Sequence, residues 1–350
     1  MCLTPKERVI RALLGEKVDK VPFTVYETFL PRCTVERKLR NMGLCVVRRS
    51  VPVLEVLTPE VKVRETRYRE EGKRYIRVDY ETPKGNFYSL QEDRGYTRWV
   101  LRHLFAGPED YAKLIFFFQN HKYRVNYENF VKMEKLRGED IILRGSIGLE
   151  PFQAIIELMG TETFCFEWME RRDEVLALYE AIVEARRRSY PLLSESPCFH
   201  FNYGGNVTVE IVGVEGFRKY YVPNYEEAAE YLHKYGKLIG SHFDANCRLI
   251  AADIAETSLD FIEAFTPFPD TDLTLKEALS FWEGKALWIN FPSSVHLKSE
   301  EKIAGATVDL LEQAEGYPRF LIGITEDVPE DRWQGNFLTI METIEKYFKN

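Results

Sequence analysis

The segment Gly240-Ser241-His242-Phe243-Asp244 brings an imidazole and a carboxylate two residues apart in an otherwise strand-like run. In an extended strand, residues i and i+2 point to one side, so His242 and Asp244 share a face opposite Ser241 and Phe243. Neither group is favourable inside a strand unless it lines a polar cavity or is paired. Side by side they suit metal ligation or acid–base work, and they suit equally a structural histidine–aspartate hydrogen bond. A second acidic segment, Gly323-Ile324-Thr325-Glu326-Asp327-Val328-Pro329, follows the last strand-like run. Its acids read either as further site groups or as loop acids capping the next helix.

The elements that must position these groups have a regular rhythm. Thr4, Pro5 and Glu7 make a capping-box start for a first helix with Val9, Ile10, Leu13 and Leu14 on its apolar face and Gly15 at its end. Strands are expected at 21–26 and 51–57. An antiparallel hairpin region follows at 61–88, where 61–68 and 74–81 alternate around Glu71-Gly72. Helices at 108–119 and 127–136 lead into strands at 141–147, 198–203, 238–244, 259–265, 286–291 and 319–325. Between them lie amphipathic stretches at 150–159, 173–193, 225–235, 249–256, 275–282 and 300–314. Strands alternating with helices imply parallel units, and eight of them close into a barrel. The expected fold is a (β/α)8 TIM barrel spanning 1–350 as one domain, with an inserted β-hairpin region after the second strand. A doubly wound open sheet is disfavoured because no glycine-rich phosphate loop follows the first strand.

Barrel enzymes carry their functional residues at the C-terminal ends of the strands. That rule selects Tyr26, Glu27, Arg144, Ser146, His200, Asn202, His242, Asp244, Glu263, Asn290 and Glu326. Tyr26 and His200 are candidate proton donors. Asn202 and Asn290 are candidate cofactor contacts. Arg144 and Glu27 are candidate substrate contacts or an ion pair with each other. His103, His121, His233 and His296 fall on expected helices or loops and read as surface residues.

The net charge of −8 argues against nucleic-acid binding, which needs a basic stripe. No apolar run approaches the roughly 20 residues of a membrane span, and the charged N-terminal segment has no signal-peptide core. The six cysteines, Cys2, Cys33, Cys45, Cys165, Cys198 and Cys247, include no CxxC pair. They read as reduced, small, buried hydrophobes in a cytoplasmic protein.

The chain also resembles the uroporphyrinogen decarboxylase superfamily. The resemblance rests on Thr4-Pro5-Lys6-Glu7-Arg8-Val9 with Val18-Asp19-Lys20-Val21-Pro22, on Thr82-Pro83-Lys84-Gly85, and on His242-Phe243-Asp244. It continues through Phe261-Ile262-Glu263 with Thr266-Pro267-Phe268-Pro269-Asp270, and through the last strand to Pro329. True decarboxylases of that superfamily carry an arginine-rich segment after the first strand; here Tyr26-Glu27-Thr28-Phe29-Leu30-Pro31 stands there, with Arg32 the only nearby base. The other branch, cobamide-dependent methyltransferases, holds zinc with a His-x-Cys pair and a distant cysteine three residues before a proline. His242 matches that histidine, while Asp244 and Glu326 stand where the two cysteines would be.

The resemblance therefore implies a His242–Asp244–Glu326 site for a divalent metal, zinc being the first choice, with Glu27 as an optional fourth ligand. Two carboxylates make the site harder than a thiolate site. Such a metal suits an oxygen leaving group, and with the 13% aromatic content this points to O-demethylation of a methoxylated aromatic. The implied acceptor is the cobalt of a corrinoid (cobalamin) carried by a partner protein. The rival readings are a porphyrinogen-type decarboxylase and a non-catalytic tetrapyrrole- or corrinoid-binding protein.

Overall fold

A computed structural model of the chain describes residues 3–95 and 97–349; Cys2 lies outside them. These residues fall into two compact units, one made of 3–53, 126–148 and 194–349, the other of 54–125 and 149–193.

The first unit is a TIM-barrel-like sheet of nine parallel segments. In spatial order they are Gly145–Gly148, His200–Tyr203, Leu238–His242, Phe261–Phe265, Ala286–Asn290, Phe320–Ile324, Phe23–Tyr26, Cys45–Arg48 and Ile141–Leu143. The first and last of these are consecutive in the chain and separated by Arg144 alone. Ile141–Leu143 bonds to Cys45–Arg48, and Gly145–Gly148 bonds to His200–Tyr203. The ring of strands is thus nearly closed, with one seam at Arg144.

The four strands from Leu238–His242 to Phe320–Ile324 are buried on both faces, as parallel strands must be when helices cover them. The first helix, Pro5–Leu14, starts with the expected capping box, and Gly15 ends it at φ 73°. Its Val9, Ala12 and Leu13 pack with Cys45, Ile142, Phe261, Ala286 and Leu321 and fill the floor of the lumen. Gly240 is required there, because a Cβ on it would lie 2.3 Å from the Phe261 ring. The C-terminal helix Trp333–Tyr347, which the sequence pattern did not single out, buries Phe337, Ile340 and Ile344.

One strand differs from expectation. The second barrel strand is Cys45–Arg48, not 51–57. Leu54–Leu57 pairs antiparallel with Lys122–Val125 in the second unit. Both runs are short and apolar, so periodicity cannot tell a buried parallel strand from a half-exposed antiparallel one.

The second unit holds a four-stranded antiparallel sheet, Lys62–Glu70, Lys73–Thr82, Gly85–Asp93 and Arg98–Arg102. Glu71 and Gly72 both have positive φ, 49° and 77°, as a two-residue hairpin turn demands. Tyr80 and Phe87 stack at 5.0 Å, and both meet Phe117 of the helix Tyr111–Gln119 edge-on. The helices Pro151–Met159, Thr161–Glu170 and Arg172–Arg187 complete this unit's core around Phe152, Phe164 and Tyr179.

His121 and His296 are buried rather than on the surface. His121 packs against Phe117 and Phe118, and His296 against Phe291 and Phe337. Cys45, Cys198 and Cys247 are buried as expected, but Cys33 and Cys165 are exposed. No described helix is long and apolar enough to cross a membrane.

Candidate metal centre

His242 is the last residue of its strand, and Asp244 follows two residues later. Glu326 lies two residues past the end of Phe320–Ile324. The barrel brings all three together at the C-terminal end of the strands, with ligand atoms within 4.8 Å of one another. His242 Nε2 is 3.5 Å from Asp244 Oδ2 and 3.7 Å from Glu326 Oε1. Donors about 2.1 Å from one tetrahedral ion are about 3.4 Å apart, so these two separations fit a shared divalent metal. One imidazole and two carboxylates also balance the charge of a dication. His242 is nearly buried while Glu326 is 41% exposed on its side chain, so the cluster opens outward.

Behind His242 stands a second layer. Its Nδ1 lies 3.6 Å from Glu263 Oε2. Glu263 is fully buried on the neighbouring strand, paired in register with His242. A register shift follows it at Ala264, whose φ is 57°, so the strand kinks directly after the acid. Glu263 forms an ion pair with Arg144, and Arg144 donates to the Tyr26 hydroxyl at 2.9 Å. The guanidinium carbon sits 5.3 Å from the centre of the Tyr26 ring. A carboxylate behind a ligating imidazole fixes which nitrogen faces the metal and strengthens it as a donor.

The electrostatics follow from this packing. Burial opposes a charged Glu263, yet Arg144 and His242 hold its carboxyl down to about 2. Burial also opposes a charged His242, but the carboxylates of Asp244, Glu263 and Glu326 raise it well above the usual histidine value. Burial pushes the Tyr26 phenol upward. Burial and the nearby Arg144 take His200 down to about 3.

These values bear on the expected roles. His200 is neutral at physiological pH, so it can share an N–H but cannot act as an imidazolium acid. Tyr26 is locked into the Arg144–Glu263 clamp and keeps its proton. Arg144 pairs with Glu263, not with Glu27. Glu27 instead accepts from the backbone N–H of Arg49 and Ser50 through Oε1, at 2.9 and 3.1 Å. It therefore stands outside the three-residue cluster. Asn202 donates to the Gly204 carbonyl. Asn290 accepts from the Thr325 N–H at 3.0 Å, which pins the residue directly before Glu326.

Glu263 appeared in the sequence only as one strand-end acid among many. Its signal was an acid inside the otherwise apolar Phe261-Ile262-Glu263-Ala264-Phe265, which is unfavourable without a buried partner. The partner, Arg144, is 119 residues away in the chain.

No family model matches the chain, and no curated protein matches it by sequence. Among solved structures, a methyltransferase from Methanosarcina mazei superposes with a TM-score of 0.61 at 12% identity, covering 99% of each chain. An endoxylanase from a sugarcane soil metagenome gives a TM-score of 0.43 at 8% identity, covering 96% of this chain and 99% of the other. A pneumococcal exo-β-D-N-acetylglucosaminidase module gives 0.41 at 9% identity, covering 96% and 84%. At such identities the likeness is one of architecture: the chain shares the fold of the Methanosarcina mazei methyltransferase over essentially its whole length.

Proposed function

We propose that this protein is a metal-dependent methyltransferase that moves a methyl group from a methoxylated aromatic donor to the cobalt of a corrinoid protein. The observation that carries this reading is the convergence of His242, Asp244 and Glu326 at the barrel mouth with separations that fit one divalent ion. The fold shared with a methyltransferase supports it. The rival decarboxylase reading needs free cations to grip substrate carboxylates, and Arg144 is tied to Glu263. A cytoplasmic setting belongs to the same reading.

The donor's methyl carbon is attacked in line by the reduced cobalt of the partner, which supplies the electron pair of the new bond. The oxygen–methyl bond breaks, and its electron pair leaves on oxygen as a phenolate that later takes a proton from water. His242, Asp244 and Glu326 would hold a zinc-like divalent ion, which would supply Lewis acidity toward that oxygen. Glu263 orients His242, Arg144 and Tyr26 hold Glu263, and Asn290 fixes the approach of Glu326 through Thr325. The fully buried floor of the lumen excludes water from one side of this centre.

Metal analysis of the purified protein is expected to find about one divalent ion per chain, lost in His242→Ala and Glu326→Ala. Incubation with methoxyarenes and reduced cobalamin is expected to give the methylated corrinoid's absorbance. Unchanged metal content in both variants, or no methyl transfer across a broad donor panel, overturns the reading.

A further inference from the structure

The four-stranded antiparallel sheet of the second unit is basic in an acidic chain. Residues 62–102 hold eleven Lys and Arg against seven Asp and Glu, a net charge of +4, while the whole chain carries −8. Part of this is ordinary, since charged side chains on an edge strand such as Lys62–Glu70 discourage pairing with other chains. Edge protection does not account for one row of the sheet.

The register sets Arg69 opposite Arg74, Arg74 opposite Asp93, and Asp93 opposite Arg98. Directly opposite residues point to one face, so these side chains form a line across all four strands. Arg67 stands on the same face in the next row. Arg74 lies on an interior strand, where no edge needs guarding, and like charges directly opposite each other destabilise a sheet. The row holds a single acid. Arg74 Nη2 is 3.6 Å from Asp93 Oδ1, and that oxygen already accepts from the Gly95 N–H at 2.9 Å. The Gly95 N–H, with Arg74, Arg98 and Arg67 nearby, holds the Asp93 carboxyl below its usual range. Arg67 pairs with Glu65 at 2.7 Å. Arg69 and Arg98 have no carboxylate at ion-pair distance among the described residues. Four arginines against Asp93 and Glu65 leave two positive charges in excess.

There is room beside them. A cavity of about 410 Å³ is lined by Arg67, Arg69, Arg74 and Asp93 together with the buried Ile76. Its volume falls in the range of small-molecule sites. Neighbouring strands lie about 4.8 Å apart, so the guanidinium groups of Arg69 and Arg74 can reach one oxyanion between them. Planar arginine forks suit such an anion, and its charge removes the repulsion between them. The excess of two charges matches a dianion. A phosphate monoester is mostly dianionic at neutral pH, its second pKa being about 6. A long polyanion finds no continuous track here, because Glu65 and Asp93 interrupt the basic side chains of this face.

We infer that Arg69 and Arg74, flanked by Arg67, bind the phosphate group of a small soluble ligand, at a site that shares no residue with the metal cluster. The inference stands apart from the methyltransferase reading.

The test is calorimetric titration of the full chain with inorganic phosphate, with acetate as a monoanionic control. Saturable phosphate binding is expected, with acetate much weaker. Arg69→Met and Arg74→Met are each expected to weaken phosphate about tenfold or more, the value of one charge-assisted hydrogen bond. Arg64→Met removes the same charge from the opposite face of the same strand and is expected to change the affinity by no more than about twofold. Phosphate also ligates metals, so the titration is repeated on His242→Ala, which is expected to bind it like the parent. If a Met variant fails to fold by circular dichroism, Arg69→Lys replaces it: the charge stays, the planar fork goes, and the affinity is still expected to fall severalfold. Absence of saturable binding, acetate binding as tight as phosphate, equal losses in Arg64→Met and Arg69→Met, or loss in His242→Ala overturns the inference. Arginine-dependent binding to vesicles of phosphatidylcholine and phosphatidic acid, or to a single-stranded oligonucleotide, in place of inorganic phosphate overturns the assignment to a small soluble ligand.

Discussion

Replacing Glu263 by Gln tests whether the clamp behind His242 supports metal binding at the proposed centre. The substitution keeps the shape and one carbonyl oxygen but removes the charge. Arg144, buried and without another acid partner among its described contacts, is left as an uncompensated cation. Breaking one side of a buried pair costs about 3–5 kcal/mol, and the retained carbonyl places the expected loss near the lower end, about 3 kcal/mol. The carboxylate 3.6 Å from His242 Nδ1 also goes, and loss of such a partner lowers metal affinity about 10–100-fold. Urea unfolding of the metal-free protein measures the first effect, and zinc titration by calorimetry measures the second. The double variant Glu263→Gln/Arg144→Met separates them. Removing both charges should restore most of the stability, since an apolar replacement of a buried pair is often nearly neutral. It should not restore the zinc affinity. If Glu263→Gln binds zinc within twofold of the parent, the clamp does not serve the metal. If the double variant is no more stable than the single, the ion pair is not the source of the loss.

Other outcomes follow from the same geometry. Asn290→Ala should cost about 1 kcal/mol for the lost bond to the Thr325 N–H and weaken zinc binding, because Glu326 loses its anchor; calorimetry and urea unfolding read both. Gly240→Ala should destabilise by about 1–3 kcal/mol or more, since its Cβ would meet the Phe261 ring at 2.3 Å, and the urea midpoint should fall accordingly. Burial and nearby arginines hold His121 down to about 4, and burial holds His296 to about 4. Both are neutral when folded but protonate near 6.5 when unfolded, so the unfolded chain binds more protons in this window and stability must fall as pH drops from about 6.5 to 4. Each contributes a loss on the order of 3 kcal/mol by pH 4, and His296→Phe should flatten the acid limb of a stability–pH curve. Zinc at 100 times its dissociation constant should add about 2.7 kcal/mol of stability to the parent and little to His242→Ala, as read by thermal unfolding.

The parts of the fold written in local signals were legible. Thr4, Pro5 and Glu7 form the capping box that their spacing predicts, and six of the strand runs from Ile141 onward fall where alternation placed them, within a few residues. The second barrel strand was not, because Cys45-Val46-Val47 and the run at 54–57 are equally short and apolar, and only tertiary pairing tells them apart. His242 and Asp244 were legible as a pair because strand geometry is local. Glu326 joined them only through a resemblance, since 81 residues of chain separate it from Asp244. The Arg144–Glu263 pair was illegible for the same reason, and so was the burial of His121 and His296, whose surroundings are aromatic residues that a helix pattern does not mark as core.

The seam at Arg144 gives the barrel a mechanical property. A closed hoop of strands carries strain evenly, but here the third strand bonds to one neighbour before Arg144 and to the other after it. Hoop tension must therefore pass through that single residue. The Arg144 side chain reaches Glu263, three strands away around the ring, and acts as a strut across the opening. The strut ends on the residue that backs His242. Any breathing of the hoop at its seam is thereby transmitted to the imidazole, and whatever stiffens the imidazole also closes the hoop. Amide exchange at Gly145–Gly148 should slow when zinc is bound at a site to which those residues contribute no ligand.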